Sequence, residues 1–406
     1  MTNSKRFIPQ YLKKYANVQG GYAFKSSEFQ ENGIPIIRIG DIKNNRIVTE
    51  NCAKVNEKYL SICKNYIIQN GDILIAMTGA TVGKIALNTE KKPLLLNQRV
   101  GRFICNTNIL PKYLYYVLLS DAFYNKVQYK ASGAGQPNIS PTEIGNIRIP
   151  VPPSLEEQQE IVDVLDAASE IIRLRTACIE SAQSLIPALF QEMFGDINNN
   201  IHGLPISEIK SCVEINPTKI VMNDNDDVTF LGMKDVTENG QIDLSTIKKY
   251  EEVKKGFTSF KNDDVLLAKI TPCFENGKAA IAKNLVNNTG FGSTEFYVLR
   301  PNQNKILPEY LYSIVKSSRF SEMGRSNMKG AAGQKRLIKD FVSNYKFLLP
   351  DIPQQKLFAA KVQEIEAYIK TQQAELENAK TMFQSLLHHS FTGELTRHKF
   401  GGDANG

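Results

Sequence analysis

Residues 154–195 read SLEEQQEIVDVLDAASEIIRLRTACIESAQSLIPALFQEMFG. Within them Ile161, Leu165, Ala168, Ile172, Arg175, Ile179, Ala182, Ile186, Leu189 and Met193 follow one another at alternating steps of four and three. That spacing keeps one stripe of a helix facing a partner, the a/d seam of a coiled coil. Ser154, with Glu157 three residues on, reads as an N-terminal capping box. Gly195 stands just past the last seam residue, where a left-handed stop suits glycine. The stretch predicts a helix across 153–195, with a seam about 48 Å long at ~1.5 Å per residue.

Working outward, the same pattern returns near the other end of the chain. Phe358, Val362, Ile365, Ile369, Gln372, Leu376, Ala379, Phe383, Leu386 and Ser390 each follow their counterpart by 197 residues. Asp351 and Gln354 offer the cap and Gly393 the stop, so a second helix is expected across 352–395. An apolar seam is not left in water. Burying ten such side chains stabilises by more than ~10 kcal/mol before the entropy cost of ordering them. The two seams are therefore expected to pair as an antiparallel coiled coil that relates two halves by a pseudo-two-fold axis. Arg175 and Gln372 lie near the seam midpoints and are expected to face each other and disfavour slipped registers.

The segments between the helices repeat as well. Leu110-Pro111-Lys112-Tyr113-Leu114-Tyr115 recurs as Leu307-Pro308-Glu309-Tyr310-Leu311-Tyr312, again 197 residues on. Gly71-Asp72-Ile73-Leu74-Ile75-Ala76 recurs as Asp263-Asp264-Val265-Leu266-Leu267-Ala268, and the loop Gly133 to Gln136 as Ala331 to Gln334. Short β-like runs such as Ile34 to Ile39 and Phe296 to Leu299 are broken by Gly, Asn and Asp turns, with shorter helical pieces after Leu110 and Leu307. The expected architecture is two mixed α/β domains, at 1–152 and 196–351, each followed by one long helix, with a flexible tail at 396–406.

Composition narrows the class. With 406 residues, 42% of them hydrophobic, the chain has material for two or three cores. The net charge of +7 fits an acidic polymer as partner without requiring one. The six cysteines show no CxxC pair and no Cys/His cluster of zinc spacing, so no metal site is expected. No apolar signal core follows Met1, and no apolar run approaches membrane length. A cytoplasmic protein is expected.

Catalytic signatures are missing. Gly79-Ala80-Thr81-Val82-Gly83-Lys84 resembles a phosphate loop, but it is one residue short and Ile85 stands where a magnesium-binding Ser or Thr is needed. A turn offering Lys84, and Lys278 in the second copy, to a phosphate backbone is the preferred reading. Asn216-Pro217-Thr218 lacks the second proline and the aromatic of an amino-methyltransferase motif. His388 and His389, adjacent on a helix, point to different faces and are poor joint ligands.

The order of these features, twice over, resembles the specificity subunit of type I restriction-modification systems. Its local carriers are Gly20-Gly21-Tyr22-Ala23-Phe24-Lys25-Ser26, Gly33-Ile34-Pro35-Ile36-Ile37-Arg38-Ile39-Gly40-Asp41-Ile42 and Gly71 to Ile75. Thr78 to Lys84, Leu96-Asn97-Gln98-Arg99-Val100, Gly133 to Ser140 and Ile149 to Pro153 with Glu157-Gln158-Gln159 complete the first copy. The helix ends Leu189 to Gly195 and Leu386 to Leu395 also look like this family. The second copy departs most at Thr271-Pro272-Cys273-Phe274-Glu275-Asn276.

The resemblance implies a non-catalytic, bipartite reader of double-stranded DNA, each domain taking one half of a split target. The helices would set the gap and dock two modification subunits. Those partners would use S-adenosylmethionine to methylate adenine, and restriction subunits would use ATP and magnesium. Bases are read by bidentate Arg, Asn and Gln, while Lys mostly meets phosphates. The expected DNA contacts are Lys25, Lys84, Asn97, Gln98, Arg99, Gln136 and Asn138 in the first domain. In the second they are Lys269, Lys278, Gln334, Lys335 and Arg336. A specificity subunit of another methyltransferase-based defence system, a self-contained nuclease or methyltransferase, and a coiled-coil scaffold for two protein-binding domains are the competing readings.

Overall fold

The computed structural model describes residues 7–132, 135–331 and 333–395. The expected tail at 396–406, and Gly133, Ala134 and Ala332 of the repeated loop, lie outside them. Two helices dominate, Leu155–Phe194 and Ile352–Thr392. Their starts are capped as the sequence implies. Ser154 Oγ accepts the N–H of Glu157 at 3.2 Å, and Asp351 Oδ1 accepts that of Gln354 at 2.9 Å. They end at Gly195 and Gly393, with φ of +71° and +81°, a backbone region in which other residues are strained. No seam residue on either helix is exposed.

The chain divides into two compact units whose boundaries cross both helices, at 176/177 and 373/374. In the first unit, Ile161 and Leu165 share a core with Phe383, Leu386 and Leu387, while Arg175 pairs with Glu375. The earlier part of one helix thus meets the later part of the other, and the pair runs antiparallel. In the second unit, Cys178 Sγ lies 3.0 Å from the Tyr368 hydroxyl and Phe190 packs on Phe358 with ring centroids 5.6 Å apart, so the same direction holds. The carboxylate that holds Arg175 is a partner the seam spacing did not indicate, since Glu375 lies three residues beyond Gln372 and off the stripe.

Each unit carries an α/β domain, and their sheets have the same strand order. In the first, Ala16–Gly20, Val100–Cys105, Ile73–Ala76 and Ile85–Leu87 lie side by side; in the second, Val213–Ile215, Phe296–Pro301, Val265–Ala268 and Ala279–Ile281 do. A second sheet in each is built round one parallel pair, Ile34–Ile37 with Leu94–Leu96 and Asp227–Leu231 with Thr289–Gly292. A short antiparallel pairing ties each domain's first strand to its last, Gln10 to Ile149 and Ile206 to Leu348. The ion pairs repeat too. Arg102 reaches Asp72 at 3.1 Å, and Arg300 reaches Asp264 at 2.7 Å.

Each domain is fastened to the helices in the same way. Tyr113 meets Phe391 edge to face with centroids 5.9 Å apart, and Tyr310 meets Phe194 at 4.9 Å. Phe194 and Phe391 are 197 residues apart, as are the two tyrosines. Such pairs add about 0.5–1.5 kcal/mol beyond the area they bury. Among the described residues no helix is long and apolar enough to cross a membrane.

Candidate nucleic-acid interface

In the first domain the strand Ile73–Ala76, all of it buried, ends at Met77. Met77 joins two loops: its N–H donates to Arg99 O at 3.0 Å and its carbonyl accepts the N–H of Ile139 at 2.9 Å. One step on, Gly79 N–H donates to Pro137 O at 2.8 Å, and Thr78 bridges Asn138. Gly79 has φ +73°, and a Cβ there would stand 3.2 Å from Gln136 Nε2, so glycine allows this close approach. Segments 78–84, 97–99 and 136–139 therefore converge at one end of the sheet.

The Gly79 to Lys84 segment is a short 3-10 turn closing into the strand Ile85–Leu87, with Gly83 N–H on Ala76 O and Ala76 N–H on Lys84 O, both at 2.9 Å. No helix follows it, and a phosphate loop needs one to aim its dipole and free N–H groups at a nucleotide. Lys84, Gln98, Arg99, Gln136 and Asn138 are exposed there, and the Lys84 and Arg99 side chains have no hydrogen-bond or ion-pair partner among the described residues. The convergence brings together five of the seven contacts expected in this domain.

The other two are placed differently. Asn97 is buried; its Oδ1 accepts the Arg99 N–H at 3.3 Å and its own N–H reaches Ile37 O at 3.3 Å. It shapes the turn that displays Gln98 and Arg99, rather than facing outward as expected. Lys25 is exposed next to Phe24, whose ring packs with Ile36 and Tyr59 under the second sheet. Its backbone N–H donates to Glu28 at 2.8 Å, which holds that carboxyl below its ordinary range.

The second domain repeats the junction with other side chains. Lys269 takes the place of Met77: its N–H donates to Glu295 O at 2.9 Å and its carbonyl accepts Leu337 N–H at 2.8 Å. Its Nζ lies 5.1 Å from the centre of the Tyr297 ring. Gln334 and Lys335 are exposed beside it. Arg336 bridges Ile270 and is engaged by Glu295, with Nη2–Oε1 at 2.7 Å and Nε–Oε2 at 3.0 Å. The guanidinium holds the Glu295 carboxyl below its usual range. Lys278 is half-buried and its Nζ donates to Met233 O at 2.8 Å, so it closes a loop instead of meeting a phosphate as expected.

Sequence reasoning missed Glu295, which no pattern marks and which only the fold brings to Arg336. Among the described residues there is no group of three or more His, Cys, Asp or Glu placed to hold a metal ion.

Comparison with known proteins adds the following. A family model described as the type I restriction modification DNA specificity domain matches residues 12–182 and again 206–379. The type I restriction enzyme EcoEI specificity subunit of Escherichia coli is 35% identical over 204 residues, covering 50% of this chain and 34% of that protein. The EcoAI specificity subunit of Escherichia coli is 42% identical over 145 residues, covering 35% of this chain and 24% of its own length. Over a longer span, the StySPI specificity subunit of Salmonella potsdam is 27% identical, covering 90% of this chain and 83% of that one. The crystal structure of the S subunit of a type I restriction-modification system from M. genitalium shares the fold, with a TM-score of 0.55 at 14% identity over 96% of this chain and 97% of that one.

Proposed function

This chain belongs to the family of type I restriction-modification DNA specificity domains, and from that membership we propose that it selects a two-part DNA target, one part by each α/β domain. The observation that carries this reading is the paired junction at Met77 and Lys269. At the same end of the same sheet, each domain gathers loops that share a backbone scheme but differ in side chains. Lys84, Gln98, Arg99, Gln136 and Asn138 furnish the first set; Lys269, Gln334, Lys335 and Arg336 furnish the second. A constant frame with variable polar tips suits two readers that must recognise unlike half-sites. Arg, Asn and Gln supply the bidentate geometry that base edges require, and the lysines supply phosphate contacts.

On this reading the chain performs no chemistry. S-adenosylmethionine would be bound by two modification subunits docked along the paired helices, and ATP and magnesium by restriction subunits. The helices would set the gap between half-sites, and the assembly would work in the cytoplasm.

Selection from a random pool of duplexes tests the reading. The chain in its native assembly should enrich two short constant blocks separated by a fixed unspecified gap. Arg99→Ala should relax one block and Arg336→Ala the other. Enrichment of no sequence at all, or of a single block insensitive to both substitutions, overturns it.

A further inference from the structure

We propose that the hairpin made by Ile42–Lys43 and Arg46–Ile47 is a DNA-contacting finger of the first domain, its Lys43 and Arg46 seated on backbone phosphates; this rests on the DNA reading above. The turn residues Asn44 and Asn45 have φ of +49° and +60°. Two left-handed central residues make the tight turn whose twist matches its flanking strands, and asparagine adopts that region more readily than most residues. The hairpin is thus a short, well-defined projection. Its tip, Lys43-Asn44-Asn45-Arg46, is exposed throughout, and none of the four side chains has a hydrogen-bond or ion-pair partner among the described residues.

Its direction follows from the register. Arg46–Ile47 runs parallel to Ile85–Leu87, with Arg46 level with Leu87 and Asn45 O accepting the Leu87 N–H. The turn before Arg46 therefore extends toward the start of that strand, where Lys84 stands. The nearest acid along the chain, Asp41, already accepts the Arg38 N–H at 2.8 Å.

The second domain shows what a packed-down version looks like. There the counterpart is a loop bridged at Val236 and Ile242, with Glu238 at its tip. Lys316 Nζ donates to Glu238 O at 2.6 Å, and Asn276 Nδ2 donates to Glu238 Oε1 at 2.8 Å. Gly240 lies so close to Tyr312 that a Cβ would fall 2.2 Å from the hydroxyl oxygen. One loop is acidic and hydrogen-bonded to its own helix; the other is basic and its side chains make no hydrogen bond or ion pair among the described residues. Two cations flanking two amides, on the strand neighbouring the one that begins after Lys84, fit a polyanion with base edges better than an acidic protein face.

The test uses the full chain in its native assembly and a duplex carrying its selected target, titrated over a range of salt. Each phosphate contact contributes about 0.9 to the slope of log affinity against log salt, so K43A/R46A should lower the slope by about 1.8 and weaken binding alike on all sequences. K43R/R46K should restore the wild-type slope. An unchanged slope with intact target binding overturns the finger and leaves the DNA reading standing. Loss of partner proteins from the K43A/R46A assembly, with DNA affinity kept, overturns it in favour of a protein contact. A wild-type assembly that selects no duplex overturns both.

Discussion

The side-chain Oε1 of Gln158, buried at 1% exposure on the first long helix, accepts the backbone N–H of Leu110 at 2.9 Å. Its Nε2 donates to Asn108 O at 3.2 Å. Gln355, 197 residues later, does the same for Leu307 at 2.8 Å and Lys305 at 3.0 Å. Leu110 and Leu307 precede the helices Pro111–Leu119 and Pro308–Lys316, whose first N–H groups have no intrahelical partner. A single amide on the long helix therefore fixes the start of a domain helix. Gln158→Ala strips a part-buried N–H and a carbonyl of their partner and should cost about 0.5–1.5 kcal/mol. A lower Tm and faster exchange of the Leu110 amide are expected; an unchanged Tm with protected Leu110 would sink the idea.

Asp264 is almost wholly buried and is held from two directions by Arg300, Nε–Oδ1 at 2.8 Å and Nη2–Oδ2 at 2.7 Å. It also accepts the Lys261 N–H at 2.8 Å. Removing one partner of a buried pair leaves an uncompensated charge and typically costs about 3–5 kcal/mol. Arg300→Met should fall in that range by chemical denaturation. The double change Arg300→Met with Asp264→Leu should recover part of the loss, because no bare carboxylate remains. A double variant less stable than Arg300→Met alone would show that the Lys261 N–H, not the ion pair, dominates at this site.

The helices, their caps and their stops were legible because each rests on local chemistry: a seven-residue period, a hydroxyl or carboxylate at the start, a glycine at the end. The internal repeat was legible because one offset of 197 residues reappears in Leu110 and Leu307 and throughout both seams. The candidate interface was legible only as loops. Whether Asn97 faces outward or folds onto the Arg99 N–H depends on the Ile37 carbonyl, sixty residues away in the chain. Lys278 likewise turns to Met233, 45 residues before it. Such partners come together only when the sheet forms, and no periodicity announces them.

Arg175 illustrates a seam residue whose surroundings decide its worth. On the seam spacing alone, a leucine pair in place of Arg175 and Gln372 would raise stability at the expense of register. In the structure the guanidinium pairs with Glu375, and both side chains keep a third or more of their surface in water, 33% and 43%. Exposed pairs contribute roughly 0–1 kcal/mol. Arg175→Leu alone should therefore leave Tm within a few degrees of wild type. Ile161→Ala, at a fully buried seam position, should cost about 2–5 kcal/mol. Comparable losses from the two substitutions would mean that Arg175 stabilises the helix pair as strongly as its apolar neighbours.

Glu295 sets the availability of Arg336, and the pH dependence of that link has a definite sign. The neighbouring guanidinium lowers the Glu295 carboxyl from its ordinary value of 4.5 in the folded chain. A group depressed on folding stabilises the fold above its unfolded pKa, and the contribution disappears as pH falls through the folded value. Acidification through and below 4.5 should therefore loosen the loop that carries Arg336. Arg336→Gln should move the Glu295 titration back toward 4.5, read by carboxyl NMR shifts. On the proposed reading the same pairing bears on recognition, because an Arg336 held by Glu295 would have to leave it before engaging a base edge. Glu295→Gln should tighten binding to the half-site of the second domain, and Arg336→Gln should weaken it. Equal weakening by both would show that the carboxylate orients the arginine for contact instead of competing for it.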